Sequence, residues 1–254
     1  MKRRQFLAAT SLAGLGLSAG ADAKEAGKVE YFELRKYQPL LGSKKRQVDD
    51  FLRNVGIAAM NRVGIGPVGA FNLKYGENGP SLYVLMVHKS LESVATADRR
   101  LLEDDEFRKS DFVNASLSEP GYVRYESSLM AAFRGLPKLE VPEKKGRIFE
   151  LRTYESHSIK AAKKKVEMFN EGGEIAIFKK TGLTPVFFGE TIIGPKMPNL
   201  MYMLAFEDLA DRDKRWGVFG GSAEWRELRS KAEYKDTVSN ITDIILQPTG
   251  YSQI

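Results

Sequence analysis

The chain contains no cysteine. Disulfides, iron–sulfur clusters and thiolate-held zinc or haem are therefore excluded. Histidine is almost as scarce, since His88 and His157 are the only two, which rules out a three-histidine centre within one chain. No metal site is expected. Long hydrophobic runs are also missing: no stretch approaches the roughly eighteen apolar residues that a membrane-spanning helix needs. The net charge of +6 is a weak excess, because Lys2, Arg3 and Arg4 against Asp22 place part of it at the extreme N-terminus. The remaining lysines are scattered, so a nucleic-acid partner is not expected. The one dense run, "KAAKKKVE" at 160–167, has helical spacing opposite an apolar stripe and reads as a solvated helix face.

What is present begins with a leader. "KRRQFL" at 2–7 sets paired arginines before Phe and Leu, a weakly hydrophobic Gly- and Ser-containing stretch follows, and "ADA" ends at Ala23. This is the three-part layout of a secretory signal, and the paired arginines resemble a twin-arginine export signal. The expected compartment is periplasmic or secreted, with residues 1–23 removed. The rest, at a composition of 43% hydrophobic and 28% charged over the chain, is long enough to bury a core without staples.

The chain then repeats itself. "YFELRKY" (31–37) returns as "IFELRTY" (148–154), "VGIGPV" (63–68) as "TGLTPV" (181–186), Pro80-Ser81-Leu82 as Pro198-Asn199-Leu200, and Phe107-Arg108 as Trp225-Arg226. Four anchors in one order at a near-constant offset indicate a tandem duplication. The expected units are 29–132 and 148–254, joined by a Pro-containing linker at 133–147. Each reads β-α-β-β-α-β, the ferredoxin-like order. In the second unit Ile159, Ala162, Val166, Phe169, Gly173 and Ile177 mark a helix that Ser156 or Ser158 can cap and Gly182 can end. Such a unit leaves one sheet face bare, and a second copy can cover it. The expected fold is therefore α+β: two ferredoxin-like units forming an intramolecular, pseudo-dimeric α+β barrel.

Alternation along the repeated strand sets Phe32, Leu34 and Lys36 on one face and Glu33, Arg35 and Tyr37 on the other. In the second copy Phe149 and Leu151 oppose Glu150, Arg152 and Tyr154. The Phe/Leu face is expected against the helices, so the six Glu, Arg and Tyr residues would line the barrel interior. There they would form either a small-molecule cavity or an ion-pair network stapling the sheets. His157, at a helix start, and Glu190, in apolar company on its strand, are the acid/base candidates. His88 is expected to be structural. Trp216, Phe219, Trp225 and Leu228 have helical spacing and are expected in a core. "GVFGG" and "GIGPVG" lack the setting of phosphate loops. No cofactor is predicted; haem, which a single histidine could hold, is the alternative.

The motifs "FELRTY", Gly-x-x-Pro-Val, "NLMYMLAFEDL", the Trp-containing helix and "ILQPTGYS" resemble the NIPSNAP family over nearly all of 29–254. The resemblance is strongest in the second copy; the first has Phe107 where Trp225 stands and no match to Trp216. It implies two tandem NIPSNAP domains and the dimeric α+β barrel fold. It brings no established reaction or catalytic motif, and mitochondrial members are discussed in membrane trafficking and signalling. The function expected is binding of a small apolar or aromatic molecule in the barrel, with a cofactor-independent enzyme as its stronger form. A non-catalytic interaction module is the alternative, and further pairing of whole chains stays open.

Overall fold

The computed structural model describes residues 29–39, 43–77, 79–143 and 147–254. The leader-like segment lies outside the described residues. The first half runs through strand β1 (Tyr31–Pro39), helices α1 (Ser43–Phe51) and α2 (Ile57–Arg62) joined by a π-helical turn, and strands β2 (Val68–Tyr75) and β3 (Leu82–His88). Short helices α3 (Leu91–Ala95), α4 (Ala97–Glu103) and α5 (Asp105–Lys109) then lead to β4 (Tyr122–Ala132). The second half repeats that order with β5 (Ile148–Glu155), α6 (Ile159–Asn170), α7 (Glu174–Lys180), β6 (Thr184–Ile193), β7 (Asn199–Phe206), α8 (Leu209–Gly221), α9 (Ala223–Ser230) and β8 (Asn240–Pro248).

Local chemistry sets several of these boundaries. Side chains of Ser90, Asp104, Ser158, Asp208 and Ser222 accept from backbone N–H groups at the starts of α3, α5, α6, α8 and α9. Gly173, at a φ of 86°, breaks the second half's first helical region into α6 and α7. The first half instead keeps one continuous helical path through its π turn, Leu52–Gly56.

The eight strands close into an antiparallel barrel in the order β1-β3-β2-β8-β5-β7-β6-β4. Each half contributes four adjacent strands, and the halves meet along β2/β8 and β4/β6. Three large apolar clusters follow, with a small fourth of Met168, Leu228 and Tyr234. The first fills the barrel with Phe32, Leu34, Phe71, Phe149, Leu151, Phe187 and their neighbours. The other two lie outside, under the helices of each half, built around Leu52, Ile65 and Val84 in one and Phe169, Phe178 and Tyr202 in the other. Each buried large side chain contributes on the order of 1.5–3 kcal/mol.

This arrangement reverses the expected facing of the repeated strand. Phe32, Leu34, Phe149 and Leu151 point into the barrel, while Glu33, Arg35, Tyr37, Glu150, Arg152 and Tyr154 point outward into the layer between sheet and helices. The reason is partner supply. An eight-stranded barrel has an interior that side chains fill, whereas a helix lying on the sheet can deliver hydrogen-bonding groups to a buried carboxylate. Both sheet faces are covered, so β3 and β7 are buried along their whole length.

Candidate functional site

Because β1 pairs with β3 and β4, and β5 with β7 and β8, the inward-facing residues form matching cross-strand rows in the two halves. The deepest row is Val87–Phe32–Met130 in the first half and Ala205–Phe149–Leu246 in the second. Above it come Leu85–Leu34–Ser128 and Met203–Leu151–Ile244, and then Tyr83–Lys36–Glu126 and Met201–Thr153–Thr242. The aromatic pairs Phe32–Phe187 and Phe71–Phe149, with ring centroids 5.0 and 4.9 Å apart, block the barrel at the level of the deepest row. Above this plug the barrel opens into a cavity of about 380 Å³ lined by the top row of both halves and by Leu34, Ser128, Leu151 and Ile244 of the row beneath. The turns carrying Glu77 and Pro195-Lys196 form its rim.

The cavity is graded in polarity. Its lower wall is Leu34, Leu151 and Ile244 with the Ser128 hydroxyl, all buried. Higher up, the Lys36 ammonium lies 3.8 Å from the Glu126 carboxylate, an ion pair too long to be a hydrogen bond. Tyr83 is buried beside them; burial, and the Glu126 charge after it, push its phenol up to about 12. At neutral pH this hydroxyl is a proton-bearing donor, and the ammonium adds further donors directed at the same space. The arrangement suits an apolar body with a hydrogen-bonding substituent.

None of the candidate binding or acid/base residues read from the sequence lines this cavity. Glu33 accepts from Arg35 Nε at 2.6 Å and Ser127 Oγ at 2.8 Å, with His88 Nε2 3.6 Å away. Burial would raise its carboxyl, but His88, Arg35 and Ser127 outweigh this and hold it down to about 2. Tyr37 packs on Tyr122 and Tyr125, and burial pushes its phenol up to about 12. Glu150, fully buried, accepts from Arg152 at 2.9 Å, Arg212 at 2.6 Å and the Trp216 indole at 2.6 Å. Tyr154 accepts from the Tyr202 hydroxyl at 2.8 Å. Two outward anchors are thus assembled, one per half.

The remaining candidates disperse. His157 is exposed at the turn between β5 and α6. Glu190 is half-exposed and bonded to Lys163 at 2.6 Å. It keeps the outer face with Phe188 and Ile192, but Ile192 is itself exposed, and a bulge between Pro185 and Phe187 turns Val186 into the barrel and away from it. His88 is fully buried, with Nδ1 3.1 Å from Ser93 Oγ. Phe219 and Leu228 are buried, with Trp216 and Trp225 packed against their clusters. One lysine of the expected wet face departs from it: Lys165 turns inward to Glu174 at 2.7 Å. The cavity residues missed from the sequence are Lys36, Tyr83, Glu126 and Ser128. The available signal was Lys36, a charge sharing its strand face with Phe32 and Leu34.

Residues 149–253 match the NIPSNAP family model. The second half of the chain carries a NIPSNAP domain. This domain supplies the neutral wall of the cavity, with Leu151, Met201 and Ile244. No curated protein sequence matches the chain. Among solved structures, the chain is similar to a "putative monooxygenase" from Lactobacillus acidophilus NCFM, at 11% identity and a TM-score of 0.59, covering 87% of this chain and 94% of that one. It is also similar to an anthrone oxidase-like protein, at 8% identity and a TM-score of 0.51, covering 88% and 93%. An uncharacterized NIPSNAP-like domain protein from Burkholderia xenovorans is 24% identical over 44% of this chain and 92% of its own, at a TM-score of 0.40. The two long alignments are likenesses of fold, and they extend across both halves and hence across the NIPSNAP domain and its partner.

Proposed function

We propose that this protein binds a small, largely apolar or aromatic molecule in the mouth of its barrel. The observation that carries the reading is the cavity of about 380 Å³, which has an apolar lower wall and a few convergent polar groups. Its size is at the small end of the range of about 300–1,000 Å³ usual for ligand sites. The similarity of fold to a putative monooxygenase and an anthrone oxidase-like protein supports the small-molecule reading and adds no reaction to it. The test is direct: purify the chain and titrate it with ethylnaphthalene, acetylnaphthalene and naphthoate by calorimetry. Saturable one-to-one binding of at least one probe is expected, and it should be abolished when Ile244→Trp fills the cavity. Failure of all three probes, or binding indifferent to the filled cavity, would defeat the reading.

The proposal extends to organisation and compartment. The first half repeats the element order and register of the NIPSNAP domain, which supports a tandem pair of such domains. The paired arginines Arg3 and Arg4 support export through the twin-arginine route. Arg3→Lys with Arg4→Lys should retain the precursor in the cytoplasm; undiminished secretion of the double variant would refute that route.

A further inference from the structure

The cavity lies on the pseudo-two-fold axis of the barrel. Its walls are equivalent positions of the two halves: Lys36 and Thr153 occupy the same place in β1 and β5, Tyr83 and Met201 in β3 and β7, and Ser128 and Ile244 in β4 and β8. A barrel made from two identical chains would present identical walls here, because a two-fold interface sets the same patch on both sides. The fused chain is free of that constraint, and its walls have diverged in one direction. Every ionisable side chain on the strand walls, Lys36, Tyr83 and Glu126, belongs to the first half. The second half presents Met201, Leu151 and Ile244, with the threonines Thr153 and Thr242 nearer solvent. The rim turns add one exposed charge of each sign, Glu77 and Lys196, and do not alter the contrast below them.

Resting on the binding reading above, we propose that the cavity holds its ligand in one orientation: a compact aromatic molecule with one neutral, hydrogen-bond-accepting oxygen, that oxygen on Tyr83 and Lys36 and the ring against Met201 and Ile244. Three observations carry this. The Tyr83 hydroxyl borders the cavity and has no hydrogen-bond partner among the described residues, so a ligand oxygen can satisfy it. Met201 opposite is an adaptable, polarizable surface for an aromatic face. The ligand oxygen is neutral because Glu126 already lies 3.8 Å from the Lys36 ammonium, and an anion placed there would meet the carboxylate's repulsion.

The test uses the full chain labelled with carbon-13 at methionine methyls and the same three probes. Acetylnaphthalene should bind more tightly than ethylnaphthalene or naphthoate. The Met201 methyl should show nuclear Overhauser contacts to its ring protons and none to its acetyl methyl. Tyr83→Phe should weaken acetylnaphthalene about five-fold and leave ethylnaphthalene unchanged. Exchanging the two walls, with Tyr83→Met and Met201→Tyr together, should reverse the contact pattern. Contacts from Met201 to the acetyl methyl in the unmodified chain, equal weakening of all probes by Tyr83→Phe, or tightest binding of naphthoate would each overturn the orientation while leaving the binding reading standing. Absence of saturable binding by any probe would remove both.

Discussion

The Glu-Arg-Tyr triplet occurs twice, and its two settings differ in the partners that the covering helix supplies. Around Arg35 the neighbouring strand supplies Val84, and the overlying helix supplies Asp98, whose side chain is 72% exposed. Around Arg152 the same two places hold Tyr202 and Trp216. The guanidinium of Arg152 lies 4.8 Å from the Trp216 ring centroid, and that indole also donates to Glu150. The two arginines are buried to a similar degree, at 12% and 16% side-chain exposure, and Arg35 also lies 5.2 Å from the Tyr125 ring centroid. The carboxylates differ in their partners: Glu150 is fully buried between two guanidinium groups and an indole, whereas Glu33 is held by one guanidinium and a serine hydroxyl. The two halves share these strand residues and differ in the helix residues that cover them, so the energetic weight of each carboxylate should follow the partners its cover supplies.

Removing each anchor's carboxylate tests this most severely. Glu150→Leu leaves Arg152 and Arg212 facing each other without their shared anion and strips the Trp216 N–H of its acceptor. The expected loss is about 3–5 kcal/mol, the usual cost of breaking a buried pair from one side. Glu33→Leu strips one guanidinium instead of two, and that guanidinium keeps Asp98 at 3.3 Å, so the expected loss is smaller, about 1–3 kcal/mol. Urea midpoints at unchanged slope would measure both. Equal losses would mean that the lid does not set the anchor's weight.

Acid sharpens the comparison from the first half. The Glu33 carboxyl is held down to about 2 from its ordinary 4.5. A carboxylate depressed on folding contributes stability that is fully present above its unfolded value and is lost as pH falls through the folded one. Stability should therefore fall between about pH 4.5 and pH 2, by about 2–3 kcal/mol at most from this residue. Glu33→Gln should be less stable than the unmodified chain at neutral pH and converge with it near pH 2. A constant gap across that window would assign the Glu33 contribution to packing and not to charge.

Much of this architecture was legible in the chain. The two heptapeptides, the matched Gly-Pro-Val segments and the helical spacing after Ser158 lead to the duplicated β-α-β-β-α-β order and the closed barrel. The facing of β1 and β5 was not legible from their own alternation, because a strand buried on both sides carries two apolar environments. The unbroken "NLMYMLAF" of β7 held that information, since a strand with a polar interior face would alternate. The cavity was less legible still. Tyr83, Lys36 and Glu126 are separated by tens of residues, and only the antiparallel register brings them into one row. Lys165 misled for a related reason: helical spacing put it on the charged side, but Glu174 on the next helix draws it inward.

The smallest expected effect isolates one bond of the second anchor. Tyr202 donates to Tyr154 at 2.8 Å, and the equivalent place in the first half is Val84, which has no hydroxyl to offer Tyr37. Tyr202→Phe deletes one oxygen and keeps the ring, which stacks at 5.3 Å on Phe188 and packs edge-on at 5.8 Å against Phe178. The loss should be about 1 kcal/mol, the net value of a single buried hydrogen bond. The fluorescence of the two tryptophans should report an otherwise unchanged fold. A loss of 3 kcal/mol or more, beyond the ordinary range for one such bond, would show that the phenol pair organises the whole aromatic lid. The two halves would then differ in cooperativity as well as in the partners of their carboxylates.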